Sequence, residues 1–415
     1  MPDSVKNQIK VSVIIPIYNM QQHLVQCLES VLWQSLQDIE IICINDGSTD
    51  SSGEILKKYK SIYKIIVIEQ DNQGSGLARN NGMKIARGKY IAFMDPDDYY
   101  PNHTVLETLY NEAERKHVYI CGGNFISTRG DIQQPCFNFE KLMTYEEYAS
   151  IIGFTRFIYN KNFLSENNIY FPSYRRFQDP PFFVNAMTAT DKFLAVNIWA
   201  YKYRVGHKTF CFSENIVIDV LKGIRDVLQV LIKNNLETFL DKIVCSYLDV
   251  KPYVYFYAYK NGNTIWSILK ELDRLLKTWI DQDTELNVTS EKVRSYIEQC
   301  KMKLFDIPKN IKMIIYGAGV IGKQLLCYFE KKQVDLIGFA VSDVPYHQEQ
   351  IGEYAIKQIN EYIDYKDNAI VYVATSTKYY SDIKKILDKY DFKNVYFIDQ
   401  NEICLANMFN RDAFE

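Results

Sequence analysis

The decisive stretch of this chain reads Lys89-Tyr90-Ile91-Ala92-Phe93-Met94-Asp95-Pro96-Asp97-Asp98. An apolar segment with the composition of a strand runs directly into three carboxylates. In α/β proteins such strands are buried, and ligands bind at their carboxyl ends. Neighbouring acids repel one another unless a cation lies among them, and hard carboxylate oxygens suit Mg²⁺ or Mn²⁺. The stretch therefore predicts a divalent metal that holds a nucleotide diphosphate, with an acidic turn at a strand end as the alternative.

Composition limits the class of protein. A length of 415 residues predicts two or three domains. The net charge of −3, from 48 Lys and Arg against 51 Asp and Glu, argues against a nucleic-acid-binding protein. The 9 cysteines include no Cys-x-x-Cys pair, which indicates free thiols in a reducing cytoplasm. The sequence shows neither an apolar leader nor a membrane-spanning run, so we expect a cytoplasmic protein, with peripheral membrane association left open.

Strand and helix patterns alternate in the N-terminal half. Apolar strands are predicted at residues 11–16, 39–44 and 65–68. Pro16 should end the first strand because proline cannot donate to the ladder. Ser51 and Glu54 have the spacing of a capping box at a helix start. The alternation predicts a parallel sheet with crossover helices, and a ligand crevice at the edge where the polar loops after each strand meet.

Five short motifs follow one another in this half. They are Val13-Ile14-Ile15-Pro16-Ile17-Tyr18-Asn19, Asn45-Asp46-Gly47-Ser48-Thr49-Asp50, Ala78-Arg79-Asn80-Asn81-Gly82, Gly88-Lys89-Tyr90-Ile91-Ala92-Phe93 and Asp95-Pro96-Asp97-Asp98. Their order and spacing resemble the inverting family-2 glycosyltransferases of the GT-A fold, which favours the metal site over the acidic turn. The resemblance covers about the first half of the chain. It implies transfer of a sugar from a nucleotide diphosphate sugar, with uridine expected, to a saccharide or lipid-linked saccharide acceptor in capsule or surface-polysaccharide synthesis.

The resemblance also implies residues that receive the nucleotide. Pro16, Tyr18 and Asn19 would shape the wall around the base. Asp46 would accept a hydrogen bond from a uracil imide, since a carboxylate needs a donor on the base edge. Asn45 stands where the family often has a second acid, which loosens the inference of a uridine nucleotide.

The same resemblance divides the acidic stretch into roles. Asp97 would bind the metal directly, Asp95 would contact the ribose or a metal-bound water, and Asp98 would support them. Arg79 would meet the diphosphate or the acidic cluster, with a surface helix arginine as the alternative. His207 lies where many related enzymes have a histidine that completes the metal shell or touches the diphosphate, and a structural histidine is the alternative.

A further acid is the candidate catalytic base. Inverting transfer needs a base that removes the proton from an attacking acceptor hydroxyl. Asp179 is flanked by prolines and aromatic residues, which should desolvate it and raise its pKa. Enzymes that resemble this chain have their base near the start of this helix, often after Glu, where this chain has Gln178. The alternative is an N-cap aspartate, since Pro180 would suit the first helical position.

The remaining chain is predicted to form two further regions after a catalytic domain at residues 1–212. Residues 213–308 read mostly as helices that pack on that domain, with docking on a membrane or lipid-linked acceptor as the alternative. Residues 309–405 contain the strand Lys312–Tyr316 followed by Gly317-Ala318-Gly319-Val320-Ile321-Gly322. This region resembles the small Rossmann-like domains appended to bacterial polysaccharide-synthesis enzymes.

The role of the C-terminal region stays open at this point. Asp343 is near where a ribose-binding acid could lie, so a nucleotide could bind. The region is about a hundred residues long, which leaves no room for a second substrate, so packing, homodimer formation or regulation is favoured over dehydrogenase chemistry. Two rival functions remain for the whole chain: a non-catalytic sugar-nucleotide sensor, and a bifunctional enzyme whose C-terminal domain uses a nicotinamide cofactor.

Overall fold

Two compact units make up the chain. One comprises Met1–Leu248 with Ile268–Leu286, and the other comprises Asp249–Ser267 with Asn287–Glu415. The computed structural model describes residues 8–132, 136–206, 212–248, 250–261, 263–277, 290–304, 307–308, 310–342 and 349–412. Residues from the predicted helical middle region occur in both units.

An eight-stranded sheet forms the centre of the N-terminal unit. Its strands are β1 (Val11–Ile17), β2 (Ile39–Asp46), β3 (Ile65–Gln70), β4 (Tyr90–Phe93), β5 (Ile120–Ser127), β6 (Lys141–Met143), β7 (Phe157–Asn160) and β8 (Phe193–Tyr203). Their order across the sheet is β3-β2-β1-β4-β7-β5-β8-β6. The first four strands in this order run parallel, as the sequence predicts, whereas β7 pairs antiparallel with both β4 and β5. The carboxyl ends of β1, β2 and β4 therefore lie at one edge.

Helices join and cover these strands. In chain order they are α1 (Leu24–Leu32), α2 (Ser52–Ile62), α3 (Ser75–Ile85), α4 (Val105–Lys116), α5 (Tyr145–Tyr148), α6 (Lys161–Glu166), α7 (Asp179–Thr188), α8 (Glu214–Lys233) and α9 (Leu240–Leu248). Every residue of β1 and β4 is buried, which explains why both read as continuous apolar runs. Gly82 lets α3 approach β1 closely, because a Cβ at this position would lie 2.5 Å from Cγ2 of Ile14.

The first strand continues past its proline, contrary to the prediction. Pro16 lies inside β1 and is opposite Ile44 of β2. The pairing of β1 with β4 stops where Ile14 lies opposite Phe93, so a missing N–H at Pro16 removes no ladder bond on that side. Strand β1 therefore ends at Ile17, one residue later than predicted, and the polar loop begins after that residue.

The predicted capping box at the start of α2 is also wrong. Ser51 occupies the N-cap position, but its side chain makes no capping hydrogen bond. The amide of Ser52 instead donates to Asp50 Oδ1 at 3.0 Å, and the amide of Ser51 donates to Gln21 Oε1 at 2.9 Å. Side chains that flank the helix start thus satisfy its amides, which ties α2 to the loop after β1.

A second, six-stranded sheet forms the centre of the C-terminal unit. Its strands are β9 (Lys312–Tyr316), β10 (Leu336–Val341), β11 (Gln350–Ile351), β12 (Tyr354–Gln358), β13 (Ala369–Val373) and β14 (Asn394–Phe397), in the order β11-β12-β10-β9-β13-β14. All neighbours pair in parallel except β11 with β12. The remaining α-helices within the described ranges are α10 (Lys251–Asn261), α11 (Asn263–Leu276), α12 (Ser290–Leu304), α13 (Val320–Lys332), α14 (Tyr380–Lys389) and α15 (Gln400–Asp412).

Candidate active site

Three carboxylates lie together directly after β4. Asp95, Asp97 and Asp98 each offer an oxygen, and these oxygens lie within 4.8 Å of one another. Asp97 and Asp98 are buried, while 26% of the Asp95 side chain is exposed. Buried carboxylates this close need a positive charge, and a set of hard oxygen donors suits Mg²⁺ or Mn²⁺. The residues present therefore fit a divalent cation.

Asp98 is held by neighbours from a distant strand. Its Oδ2 accepts from the Tyr201 hydroxyl at 2.8 Å, and its Oδ1 accepts from the Arg204 amide at 2.7 Å. Burial, with the nearby Asp95 and Asp97, raises the pKa of Asp98 to about 8. The Tyr201 hydroxyl also accepts from the amide of Asp95 at 3.1 Å. The end of β8 thus fixes the acidic turn, and Asp98 acts through this anchoring.

Arg79 of α3 connects the acidic cluster to the candidate base. Its Nη2 donates to Asp95 Oδ1 at 2.6 Å, and its Nη1 donates to Asp179 Oδ1 at 2.9 Å. Only 3% of the side chain is exposed, and the guanidinium lies 4.8 Å from the ring centre of Phe154 and 5.1 Å from that of Phe171. Burial opposes its charge, but Asp179 and Asp95 outweigh burial and raise the pKa of Arg79. The structure therefore replaces the surface-arginine alternative with a buried ion-pair bridge.

Asp179 is the first residue of α7, and Gln178 occupies the N-cap position. The N-cap alternative for Asp179 is therefore wrong, and Pro180 lies second in the helix. Burial raises the pKa of Asp179, Arg79 lowers it, and Asp95 raises it, with a net upward shift. About two fifths of the side chain, 39%, nevertheless remains accessible. A carboxylate that is partly desolvated yet accessible can accept a proton from a bound hydroxyl.

The segment before α7 is fastened to α3 by amide side chains. Asn80 donates from Nδ2 to the carbonyl of Phe171 at 2.8 Å and accepts from the Phe171 amide at 3.0 Å. Gln178 donates to Ser75 Oγ at 2.7 Å. Gly76 allows this approach, since a Cβ there would lie 3.0 Å from Gln178 Cγ. These contacts hold the start of α7, and with it Asp179, beside Arg79.

The predicted nucleotide wall lies at the end of β1, with Pro16 inside the strand and Tyr18 and Asn19 in the loop after it. Asn19 has a left-handed backbone with φ 52°, and its Oδ1 accepts from the Thr49 amide at 2.8 Å. Tyr18 next to it is exposed, with 45% of its surface accessible. An exposed tyrosine beside a fixed turn has the geometry of a stacking surface.

Asp46 is buried and already holds a turn. Its Oδ1 accepts from the Gln73 amide and from Gln70 Nε2 at 2.8 and 2.7 Å, and its Oδ2 accepts from the Gly74 amide at 2.8 Å. It therefore shapes the loop between β3 and α3, and any contact with a base would be additional. Each carboxylate oxygen can accept more than one hydrogen bond, so Oδ2 retains that capacity.

Tertiary structure adds residues that the sequence did not single out for these roles. Tyr201, Asn80 and Gln178 position the acids. Asn80 belongs to one of the five motifs and Gln178 precedes the candidate base, but neither pattern predicts these contacts. Arg204 donates from Nε to the carbonyl of Asp97 at 2.8 Å, a contact that the sequence does not predict. The predicted metal ligand His207 lies outside the described residues.

Comparison with known proteins finds similar proteins for the N-terminal region. Residues 12–177 match the model of glycosyl transferase family 2. The uncharacterized glycosyltransferase EpsJ of Bacillus subtilis is 34% identical over 209 residues, which cover 47% of this chain and 60% of that protein. The poly(ribitol-phosphate) beta-glucosyltransferase of Bacillus spizizenii is 35% identical over 208 residues, which cover 48% of this chain and 32% of that protein. The chain thus spans less than two thirds of the length of either relative.

Solved structures give the same fold. The crystal structure of S. aureus TarS residues 1–349 in complex with UDP-GlcNAc matches with a TM-score of 0.54 at 19% identity, over 71% of this chain and 86% of that chain. The predicted α/β GT-A-like fold is confirmed, and the C-terminal region contains a second sheet, while its likeness to Rossmann-like domains stays a prediction. The match of residues 12–177 to the family model, together with these relatives, supports the prediction of a glycosyltransferase domain. None of the helices in the described ranges has the length and apolar character of a membrane span.

Proposed function

We propose that the family 2 domain transfers a sugar, with inversion, from a UDP-sugar to a saccharide acceptor in surface-polysaccharide synthesis. The observation that carries this proposal is the Arg79 bridge, which joins the acidic turn at Asp95 to Asp179 at the start of α7. A donor site and an acceptor-side base are thereby set next to each other. The relative that acts on poly(ribitol-phosphate) and the TarS complex with UDP-GlcNAc support the acceptor class and the donor nucleotide respectively.

Asp97 and Asp95 would hold Mg²⁺ or Mn²⁺, with His207 as a further ligand. The bound ion would neutralise negative charge on the leaving diphosphate. Asp98 is committed to Tyr201 and Arg204, so its part is to fix the turn that carries the ligands. Pro16, Tyr18 and Asn19 would line the base, and Asp46 would use its remaining acceptor capacity for the uracil imide.

Asp179 takes the proton from the acceptor hydroxyl as that oxygen attacks the anomeric carbon. Its raised pKa makes it a stronger base than an exposed aspartate, and its accessible surface admits the acceptor. Arg79 keeps its charge through two ion pairs and limits how far the pKa of Asp179 rises. The buried Nε of Arg79 has no hydrogen-bond partner within the described part of the chain.

The test uses the full chain, radiolabelled UDP-sugars and a cell-envelope extract as the source of acceptor. We expect label transfer that needs Mg²⁺ or Mn²⁺ and stops in EDTA. Asp179→Asn should retain UDP binding and lose turnover by about a hundredfold or more, the scale of removing a general base. Asp191→Asn, an exposed residue shortly after α7, is the matched control and should transfer normally.

Three results would count against the proposal. Full turnover in Asp179→Asn would exclude this residue as the base, and undiminished turnover in EDTA would exclude the metal. UDP-sugar binding without transfer to any acceptor would favour a non-catalytic sensor. A redox reaction of NAD(H) that disappears when the residues after Pro308 are removed would establish the bifunctional alternative.

A further inference from the structure

A cavity of about 530 Å³ lies in the C-terminal unit. Its walls come from the turns that follow β9, β10 and β13 and from the inner face of α14. The residues that line the cavity include Gly317, Gly319, Ser342, Thr375, Asp382 and Ile383. The volume is within the range of pockets that hold small molecules and cofactors, roughly 300–1,000 Å³. All of its lining residues belong to one compact unit, so the cavity is a property of that unit alone.

The position of the cavity in the sheet follows the rule for ligand sites in open α/β sheets. From β9 the chain continues to β10, which lies on one side of β9 in the sheet. It later forms β13 on the other side of β9. Helices that leave neighbouring strands in opposite directions open a crevice at the carboxyl ends of those strands. The cavity lies at this reversal, where Tyr316 ends β9 and Ala374 follows β13.

The three glycines after β9 differ in how much space their surroundings leave for a side chain. Gly317 has φ +116°, and a Cβ on it would lie 2.5 Å from Cγ2 of Thr375. A Cβ on Gly322 would lie 1.9 Å from the carbonyl oxygen of Gly317, which forbids a side chain there. Gly319 has an ordinary extended backbone with φ −81°, and a Cβ on it would meet nothing within 4 Å. Packing therefore explains Gly317 and Gly322, whereas Gly319 borders open space where a ligand could approach the backbone.

The chemistry of the walls indicates the class of ligand. Gly319 is the N-cap of the 13-residue helix α13, whose first amides lack intrahelical partners, and Gly319, Val320 and Ile321 line the cavity. Apolar side chains of Val320, Ile383 and Ile386 cover much of the remaining wall. Anion-binding amides beside an apolar wall suit a phosphate attached to a flat heterocycle.

A smaller cavity extends this site across the end of β10. It has a volume of about 250 Å³ and shares Ser342 and Ile386 with the first. Gln358, Asn360 and Lys389 line it, so its walls offer donors and acceptors for hydroxyl groups. Apolar space, helix amides and polar side chains thus follow one another along the strand ends.

We propose that the C-terminal unit binds a nucleotide, with its phosphates at the start of α13 and its nucleoside in the adjoining cavities. This site is separate from the proposed donor site and independent of the transfer reaction. The proposal concerns binding and assigns no redox step.

The test measures binding of ADP, UDP and NAD⁺ to the full chain by isothermal titration calorimetry, in EDTA to suppress metal-dependent occupancy of the donor site. We expect at least one of these probes to bind, and Gly319→Val to weaken that binding by about tenfold or more, which corresponds to about 1.4 kcal/mol. The added side chain enters open space, so the variant should fold normally. Ala355→Val, at an exposed position of β12, adds similar bulk away from the cavity and should bind as the parent chain does.

A second measurement does not depend on the variant. Hydrogen exchange of the parent chain with and without the bound probe should show protection of the amides at residues 319–322. Absence of binding by all three probes would overturn the proposal. So would binding that Gly319→Val leaves unchanged, or protection confined to the loops of the N-terminal unit.

Discussion

The carboxyl edges of the two sheets of this protein carry different kinds of groups. At the carboxyl edge of the N-terminal sheet, the protein's own charged side chains occupy the space, with Arg79 between Asp95 and Asp179. At the corresponding edge of the C-terminal sheet, a cavity lies beside a glycine turn, and Gly319 borders open space. Both edges obey the same topological rule for ligand binding. Their side chains decide whether the edge presents charges for chemistry or shape for a bound molecule.

The difference has an electrostatic cause. Burial, with the neighbouring Asp95 and Asp97, raises the pKa of Asp98, while the cation Arg79 pairs with Asp95 of the same turn. Such a cluster is expected to change its interactions when a metal and a diphosphate bind. The C-terminal cavity holds one acid among the residues named for it, Asp382, and relies on backbone amides and apolar walls. It is expected to bind a ligand without rearranging a charge network.

The largest effect should come from Asp97→Ala. If the N-terminal edge is a metal–diphosphate site, this change should lower metal-dependent sugar transfer by about a hundredfold or more, the scale of losing a preorganised electrostatic group. Nucleotide binding by the C-terminal unit in EDTA should be unchanged. Steady-state transfer assays across Mg²⁺ and Mn²⁺ concentrations measure the first effect and calorimetry measures the second. Full metal-dependent activity in the variant would remove Asp97 from the metal site.

Arg79→Gln should have the next largest effect and tests how the charged edge is tuned. Asp179 must be unprotonated to act as a base, so the rate falls as pH falls through its pKa. Arg79 lowers that pKa, so its removal should raise it further and move the acid limb of kcat to higher pH. We expect kcat to fall most at acidic pH, where more of the variant's Asp179 is protonated, and the loss to shrink as the pH rises; kcat measured across pH checks this.

The control for this change is Arg115→Gln. Arg115 forms exposed ion pairs with Glu112 and Glu140, which contribute little to stability. Its pH profile should match that of the parent chain. Because breaking a buried pair costs about 3–5 kcal/mol of folding free energy, circular dichroism must show that Arg79→Gln is folded at the assay temperature. An unshifted acid limb in a folded Arg79→Gln protein would disconnect Arg79 from Asp179.

The smallest expected effect concerns packing. It is tested by comparing substitutions of one glycine from each unit. Gly82→Ala places a Cβ 2.5 Å from Cγ2 of Ile14 and should lower the free energy of unfolding by about 1–3 kcal/mol, the usual cost of overpacking a core. Gly319→Ala enters open space and should change it by less than about 0.5 kcal/mol. Urea denaturation of both variants measures the two changes in the free energy of unfolding. Equal destabilisation would mean that Gly319 is required for folding, which would weaken its assignment to ligand approach.

Sequence patterns were sufficient for features that depend on neighbours along the chain. Continuous apolar runs predicted the buried strands β1, β2 and β4, because strands covered on both faces need no polar alternation. The Asp95–Asp98 turn follows one of these strands directly, so its position at the sheet edge was predictable. Local rules failed where a partner came from elsewhere: Pro16 continues its strand because β4 ends early, and Ser51 is replaced as a cap by Asp50 and Gln21.

The sequence by itself determined that acids would collect at the end of a parallel sheet and that a second glycine turn would follow another buried strand. Only the tertiary structure decided what those groups contact. Tyr201 and Arg204 reach Asp98 from more than a hundred residues away, and Arg79 selects Asp95 and Asp179 as its two partners. The reason is physical: strand formation depends on local side-chain patterns, whereas the charge state and orientation of a buried carboxylate depend on every group that folding brings within a few ångströms.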